Sequence, residues 1–294
     1  MSMFAFGVIL SLVALLSWAL GDFMIQRVTR RVGTIKALFF IAAVGCVGLA
    51  PFALPHLNEI FLGNNLLILV LGVCVTFFAA VFDFDALHDG KLAVVEPVLG
   101  LELPIVILLS IIFRGESLNV FQVISIGAIF LGITLAVTER KFRWHHKIIL
   151  EKGFVFAGIG AVGMALTNFL YCLGSQESSA ILTVWFIHSV IAIVCFVILV
   201  RRRAAHELVA DIKKYPQGIL LMAVADNAAW LAYGAASTYI PISIATAVSE
   251  TYIALALILG VVVNREKFRK HQYLGAGLAI LGLVVLALVS SNQL

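Results

Sequence analysis

The feature that most constrains this chain is the repetition of apolar stretches of bilayer length. They fall near residues 5–25, 35–55, 65–86, 91–113, 119–138, 153–174, 179–200, 216–236, 241–263 and 271–290. Each is close to the roughly 20 residues a helix needs to cross a hydrocarbon core. The runs are continuous, whereas a barrel strand alternates, so helices are expected. Composition agrees: 62% of the 294 residues are hydrophobic, 12% are charged, and mean hydropathy is +1.10. A soluble domain carries about 25% charged residues. Hydrophobicity excludes a disordered chain, and size with four scattered cysteines excludes a secreted disulfide scaffold. The expected fold is an all-α integral membrane protein with ten transmembrane helices. The first stretch lacks a basic start and a small-residue cleavage site, so it reads as an uncleaved first helix.

Charge orients the bundle. Arg27, Arg30, Arg31 and Lys36 lie between stretches 1 and 2, and Lys91 between 3 and 4. Arg140, Lys141, Arg143, Lys147 and Lys152 lie between 5 and 6; Arg201, Arg202, Arg203, Lys213 and Lys214 between 7 and 8. Arg265, Lys267, Arg269 and Lys270 lie between 9 and 10. Every lysine and arginine except Arg114 therefore falls on one side. The positive-inside rule makes that side cytoplasmic, in a plasma membrane, with both termini outside. The basic runs then read as topology and lipid-headgroup contacts, with no nucleic-acid site.

The chain also repeats itself. A shift of 150 residues lays Glu116, Gln122, Gly127, Leu131 and Gly132 on Glu266, Gln272, Gly277, Leu281 and Gly282. A shift of 146 lays Ala19, Leu20, Asp22 and Phe23 on Ala165, Leu166, Asn168 and Phe169. The units are 1–140 and 150–294. Five helices is an odd number, so the second unit enters from the opposite side. Two inverted five-helix repeats are a transporter architecture, with the substrate between the halves near the midplane.

These residues resemble a known family. Arg114-Gly115-Glu116 before Gly127 and Gly132, and Arg265-Glu266 before Gly275, Gly277 and Gly282, are similar to the half-ends of the EamA-type branch of the drug/metabolite transporter superfamily. Trp18-Ala19-Leu20-Gly21-Asp22-Phe23 resembles its first-helix motif, with Asp22 where asparagine is common. Glu96-Pro97-Val98 resembles its fourth-helix Glu-Pro; the second half has Glu250-Thr251 instead. The resemblance implies secondary transport of small metabolites, with export favoured.

Seven acids lie within the apolar stretches: Asp22, Asp83, Asp85, Glu96, Glu102, Asp226 and Glu250. No lysine or arginine lies in their interiors. An ionised group at the bilayer centre costs at least about 2.5–3.5 kcal/mol, so these acids must face a cavity, take up protons or bind cations. Asp83 and Asp85 end stretch 3, where the interface alone accounts for them. Glu96 and Glu102 bracket Pro97, and Pro104 follows; the prolines should kink stretch 4 and expose carbonyls to a cavity. A bent packing helix is the alternative. Stretch 9 contains no such breaker, since Pro241 sits at its first turn.

Asp226 is near the midplane, with Trp230 and Tyr233 at i+4 and i+7 on one helical face. An acid beside aromatic faces suits an amine; an aspartate bonded to hydroxyls of a neighbouring helix is the alternative. Trp18 and Asp22 repeat the pairing in stretch 1, and stretch 6 has Asn168 and Tyr171. Asp22 falls about a turn from the cytoplasmic end, so a gate competes with ligand contact. Substrate-binding candidates are thus Asp226, Trp230, Tyr233, Glu250, Asp22, Trp18, Asn168, Tyr171, Glu96 and Glu102. Asp226, Glu250 and His188 are the proton-coupling candidates; a histidine bonded to a backbone carbonyl is the alternative for His188.

Other signals are set aside. Gly158, Gly160 and Gly163 spell a dinucleotide fingerprint, but inside a membrane span with no strand before it, so they read as close helix packing. No zinc spacing, phosphate loop or Ser-His-Asp grouping occurs, and no cofactor is expected. Gly127/Gly132 and Gly275/Gly277/Gly282 allow close approach of helices 5 and 10, within the fold or to a second copy. The expected activity is proton-coupled alternating access for an amine, cationic or zwitterionic solute, amino acids included. The competing classes are a membrane-embedded enzyme working through the same carboxylates and a non-transporting scaffold or sensor.

Overall fold

The computed structural model describes residues 2–89, 100–137, 152–255 and 269–291. Glu96, Pro97, Glu266 and most of the expected basic loop between stretches 5 and 6 lie outside the described residues. Within them the chain is helical, with no strand. The helices are α1 (Met3–Val32), α2 (Thr34–Ala53), α3 (Asn65–Asp89), α4 (Glu102–Arg114), α5 (Val120–Val137), α6 (Lys152–Glu177), α7 (Ala180–Arg201), α8 (Glu207–Lys214), α9 (Pro216–Ala236), α10 (Ile242–Glu250) and α11 (Lys270–Ser291). A 3-10 helix, Leu54–Phe61, prolongs α2.

Among the described residues, seven segments are long and apolar enough to cross a membrane: Met3–Val32, Thr34–Phe61, Asn65–Asp83, Gly158–Glu177, Ala180–Arg201, Pro216–Ala236 and Lys270–Ser290. Val120–Ala136 and Ile242–Leu255 are shorter apolar helices. The outer faces carry large apolar side chains, among them Leu67, Leu131, Phe196, Leu274 and Leu288. Such a surface suits lipid, and the protein is a multi-pass membrane protein.

Packing follows the sequence repeat. Helix α1 packs chiefly on α9 and α10, and α6 packs on α3 and α4. Helices α2 and α7 pair, as do α5 and α11. Each contact of one half thus has its counterpart in the other. The α5–α11 seam is backbone to backbone. A Cβ added at Gly132 would stand 2.5 Å from the Ala279 nitrogen, and one at Gly275 would strike the Ala136 nitrogen. Gly282 likewise abuts Ser125 and Ile129. These glycines serve the fold itself. Only Gly127 and Gly277 of the set have nothing within 4 Å, so pairing of two copies would fall to their faces.

The two ends are fastened differently. At the basic end, Lys36 reaches Asp211 (2.7 Å) and Glu207 (2.8 Å) on α8. Its ammonium holds the Glu207 carboxyl below the ordinary value through the hydrogen bond and the charge. The Arg31 guanidinium lies over the Tyr215 ring, 5.1 Å from its centroid. At the far end, Glu116 accepts the Ile242 N–H (2.6 Å), the Ser243 N–H (3.1 Å) and the Ser243 hydroxyl. A carboxylate on the first free N–H groups of a helix satisfies them and meets the positive end of the dipole. Arg114 pairs with Glu177 at 3.1 Å, and Gln176 donates to the Ser237 carbonyl at 2.6 Å.

Two findings depart from the sequence-based expectation. Helix α1 runs to Val32, so ten residues of helix follow Asp22 rather than a turn or so. The stop comes at Gly33, whose φ of 89° favours glycine. The ninth stretch is also broken: α10 ends at Glu250, Thr251 is a turn, and helix resumes at Tyr252. No proline causes this. Hydroxyls of Thr246, Ser249 and Thr251 donate to the carbonyls of Ile242, Ala245 and Ala247. Hydroxyls back-bonded at i−4 loosen and bend helices.

Candidate functional site

The site begins where α1 crosses α9. A Cβ at Gly21 would meet the Ala225 Cβ and the Asp226 nitrogen, each at 3.7 Å, so the two backbones run close there. Each helix carries an acid one turn from a tryptophan: Trp18 and Asp22 on α1, Asp226 and Trp230 on α9. The crossing brings the two pairs together. The Trp18 and Trp230 rings meet edge to face, 5.2 Å between centroids and 85° between planes. That is a favourable arrangement for two quadrupolar rings. Trp18 also contacts Tyr233 at 5.2 Å and Tyr252 at 6.0 Å.

The acids are distributed around this aromatic group. Asp226 lies in hydrogen-bonding reach of the Trp230 indole N–H and interacts electrostatically with Asp22. Asp22 lies in reach of the Tyr252 hydroxyl and also acts on Glu250. Asn168 on α6 donates to Glu250 at 3.3 Å and to Glu102 at 3.4 Å. Glu250 is the last residue of α10 and Glu102 the first of α4, so Asn168 joins two helix ends inside the bundle. Gly100 and Leu101 form a turn ahead of Glu102, and Pro104 sits in the first turn of α4. The part of stretch 4 before Gly100, Pro97 included, lies outside the described residues, so the break among the described residues is the one in stretch 9. A broken helix inside a bundle suits a site where polar backbone meets a ligand.

The structure gathers Asp22, Trp18, Asn168, Tyr171, Glu102, Asp226, Trp230, Tyr233 and Glu250, all proposed from the sequence. Roles within the group differ. The Tyr171 ring lies on Trp230, 4.2 Å between centroids and 31° between planes. The Tyr233 hydroxyl is bonded to Thr246 at 2.7 Å, so only its ring faces the group. Solvent reaches the site unevenly. Asp226 (8% exposed) and Glu250 (4%) are buried with Trp18, Trp230 and Tyr233, whereas Asp22, Glu102 and Tyr252 are half-buried.

His188 is outside this ring of acids. Its Nδ1 is 2.8 Å from the Asn227 side-chain oxygen. The Asn227 amide nitrogen donates to the carbonyls of Ile41 (3.0 Å) and Ala223 (2.8 Å). Those two bonds fix which way the amide faces, so its oxygen must accept and His188 Nδ1 must carry the proton. The partner is thus a side-chain amide and not the backbone carbonyl weighed from the sequence. The pair rests on Gly45, where an added Cβ would strike both Asn227 and His188. It ties α2, α7 and α9 together.

Three residues of the site carried no signal as ligands in the sequence. Tyr252 reaches Trp18 and Asp22 because the chain turns at Thr251. Asn227 was visible only as a neighbour of Asp226. Thr76 on α3 is one threonine in an apolar helix, and its hydroxyl neighbours that of Tyr171. No group of three or more His, Cys, Asp or Glu is placed to hold a metal among the described residues.

The chain matches the EamA-like transporter family over residues 5–138 and 151–288, once in each repeat. No curated protein matches it. A solved crystal structure shares its fold with a TM-score of 0.72, covering 98% of this chain and 98% of the other at 16% identity. At that identity the likeness concerns fold alone.

Proposed function

The chain belongs to the EamA-like transporter family, and we propose that it carries small amines, cationic or zwitterionic, across the plasma membrane in exchange for protons. The family makes it a membrane transporter of small molecules. The observation that supports the finer reading is the group of Asp22, Asp226 and Glu250 around Trp18, Trp230 and Tyr252. No lysine or arginine occurs between Ser2 and Gln26 or between Pro216 and Leu255 to neutralise it. A substrate cation would supply the missing charge, and ring faces would add cation–π attraction of roughly 0.5–2 kcal/mol each. Amino acids fall within this class through their ammonium group.

The cycle is an exchange at one site. With no amine bound, protons on the buried carboxyls keep the site neutral, because uncompensated charge at this depth is costly. Amine binding displaces them. Opening to opposite sides in the two states couples the flows. The polypeptide crosses ten times as two inverted units, 1–140 and 150–294, with both termini outside. The Glu116 cap and the Arg114–Glu177 pair fasten the far end. His188 serves the α2–α7–α9 junction in this reading, and proton exchange falls to Asp226 and Glu250.

The test is uptake into proteoliposomes under an imposed pH gradient, with a panel of cationic, zwitterionic and anionic solutes. Amines should accumulate against the proton gradient, and both Asp226→Asn and Glu250→Gln should lose that dependence. Full gradient-driven transport in both variants would overturn the coupling. Preference for anions would overturn the substrate class while leaving the transporter standing.

A further inference from the structure

An aromatic group with carboxylates attracts any organic cation, methylated or not. Ring faces recognise quaternary ammonium as readily as primary. Two further groups beside Asp226 discriminate. The hydroxyls of Tyr171 (0% exposed) and Thr76 (6% exposed) are shut away from solvent and lie within reach of each other, and neither makes a well-formed hydrogen bond to any other group of the protein. Buried hydroxyls are as a rule satisfied, so the pair has acceptor capacity to spare. Their position is fixed by packing. The Tyr171 ring is held against Trp230, Trp230 is one turn from Asp226, and the Tyr171 hydroxyl feels the Asp226 charge. Thr76 comes from α3, which packs along α6, and its hydroxyl stands next to that of Tyr171.

We propose that Asp226, Tyr171 and Thr76 form a three-acceptor socket that selects a primary ammonium group. The proposal rests on the amine reading above and narrows it. A primary ammonium has three N–H donors, one for a carboxylate oxygen and one for each hydroxyl. Both hydroxyls can accept, because their own protons are free to turn away from the cation. A trimethylammonium group offers no N–H. It would leave that acceptor capacity unused and press methyl groups against both hydroxyls. The charge of the substrate is then read on the α9 side of the site and its hydrogen bonds on the α3–α6 side.

The experiment compares two probes on the full-length protein in nanodiscs by titration calorimetry: phenethylammonium and its N,N,N-trimethyl analogue. They share ring, linker and charge. The wild-type protein should bind the primary amine about tenfold more tightly or better, the effect of two hydrogen bonds to a charged group partly offset by lost hydration. Tyr171→Phe keeps the stacked ring, and Thr76→Val keeps the shape. Each should weaken the primary probe alone and bring the ratio toward one. Thr76→Ser, which keeps the hydroxyl, should restore it. Equal affinities in the wild-type protein, or a ratio unchanged in both variants, would overturn the socket and leave the amine reading intact. Binding of neither probe would overturn both.

Discussion

The inverted repeat places two equivalent helix crossings in the bundle, α1 on α9 and α6 on α3, and they have diverged in chemistry. The first carries Trp18, Asp22, Asp226 and Trp230: two carboxyls and two indoles. The second carries Asn168, Tyr171 and Thr76, with no acid among them. Their packing differs as well. At Gly21 the first crossing leaves 3.7 Å between an added Cβ and its neighbours, whereas at Gly163 the second leaves 2.8 Å to the Ala79 Cβ. At these two glycines, then, the charged crossing would admit a methyl group and the neutral one would not. A duplicated scaffold has thus separated two tasks. One crossing supplies charge and has room for side chains to rearrange about it; the other supplies directional hydrogen bonds, which need fixed geometry.

The largest effect that can break this division is on the acid. Asp226→Asn removes one of the carboxyls that the buried cation would neutralise. Losing a desolvated charge partner costs about 2–5 kcal/mol, so amine affinity should fall about 30-fold or more. Asn168→Ala on the neutral crossing should behave otherwise. It releases Glu102 and Glu250 from their shared amide and should lower the melting temperature, with amine affinity falling less than about fivefold. Calorimetry with a primary amine reads both variants. Comparable losses would show that the crossings do not divide the work.

The next effect is on packing. Gly163→Ala forces its Cβ against Ala79, with the Ala79 Cα only 3.2 Å away. Neither atom is the end of a flexible chain, so α3 and α6 must separate. Overpacking of this kind costs about 1–3 kcal/mol. Thermal unfolding in detergent should shift down measurably, and the Tyr171–Thr76 pair, one to two turns along the same seam, should bind amine less well. An unchanged melting temperature would mean that the seam is not tight.

Much of this arrangement was legible in the sequence. Asp226 with Trp230, and Trp18 with Asp22, follow from i, i+4 spacing on apolar helices, because an acid at that depth has few reasons to exist. The repeat placed Asn168 opposite Asp22. Other parts were hidden for physical reasons. The turn at Thr251 arises from several weak hydroxyl back-bonds acting together, not from a proline or glycine, so no single residue announces it. With the turn hidden, Tyr252 could not be assigned to a face. The reach of α1 past Asp22 was masked by Arg27, Arg30 and Arg31, which read as a loop but continue the helix to Gly33. Thr76 belongs to the site only because α3 and α6 run together, a relation between helices that one helix's periodicity does not contain.

The smallest effect sharpens the comparison most. Gly21→Ala introduces the same methyl group at the charged crossing that Gly163→Ala introduces at the neutral one. Here the new Cβ meets Ala225 and Asp226 at 3.7 Å, an ordinary van der Waals contact. Alanine is also favoured over glycine inside a helix by roughly 0.5–1 kcal/mol. The substitution should leave stability unchanged or raise it slightly, and primary-amine affinity should stay within about twofold. Transport is the more exacting measurement. If α1 and α9 keep this separation throughout the cycle, turnover in proteoliposomes will match the unsubstituted protein. If the other state brings the helices closer, binding and melting temperature will stand while turnover falls, and the room at Gly21 will be identified as clearance for movement. A loss of stability equal to that of Gly163→Ala would instead show that the two crossings are packed alike, and the structural half of the comparison would fall.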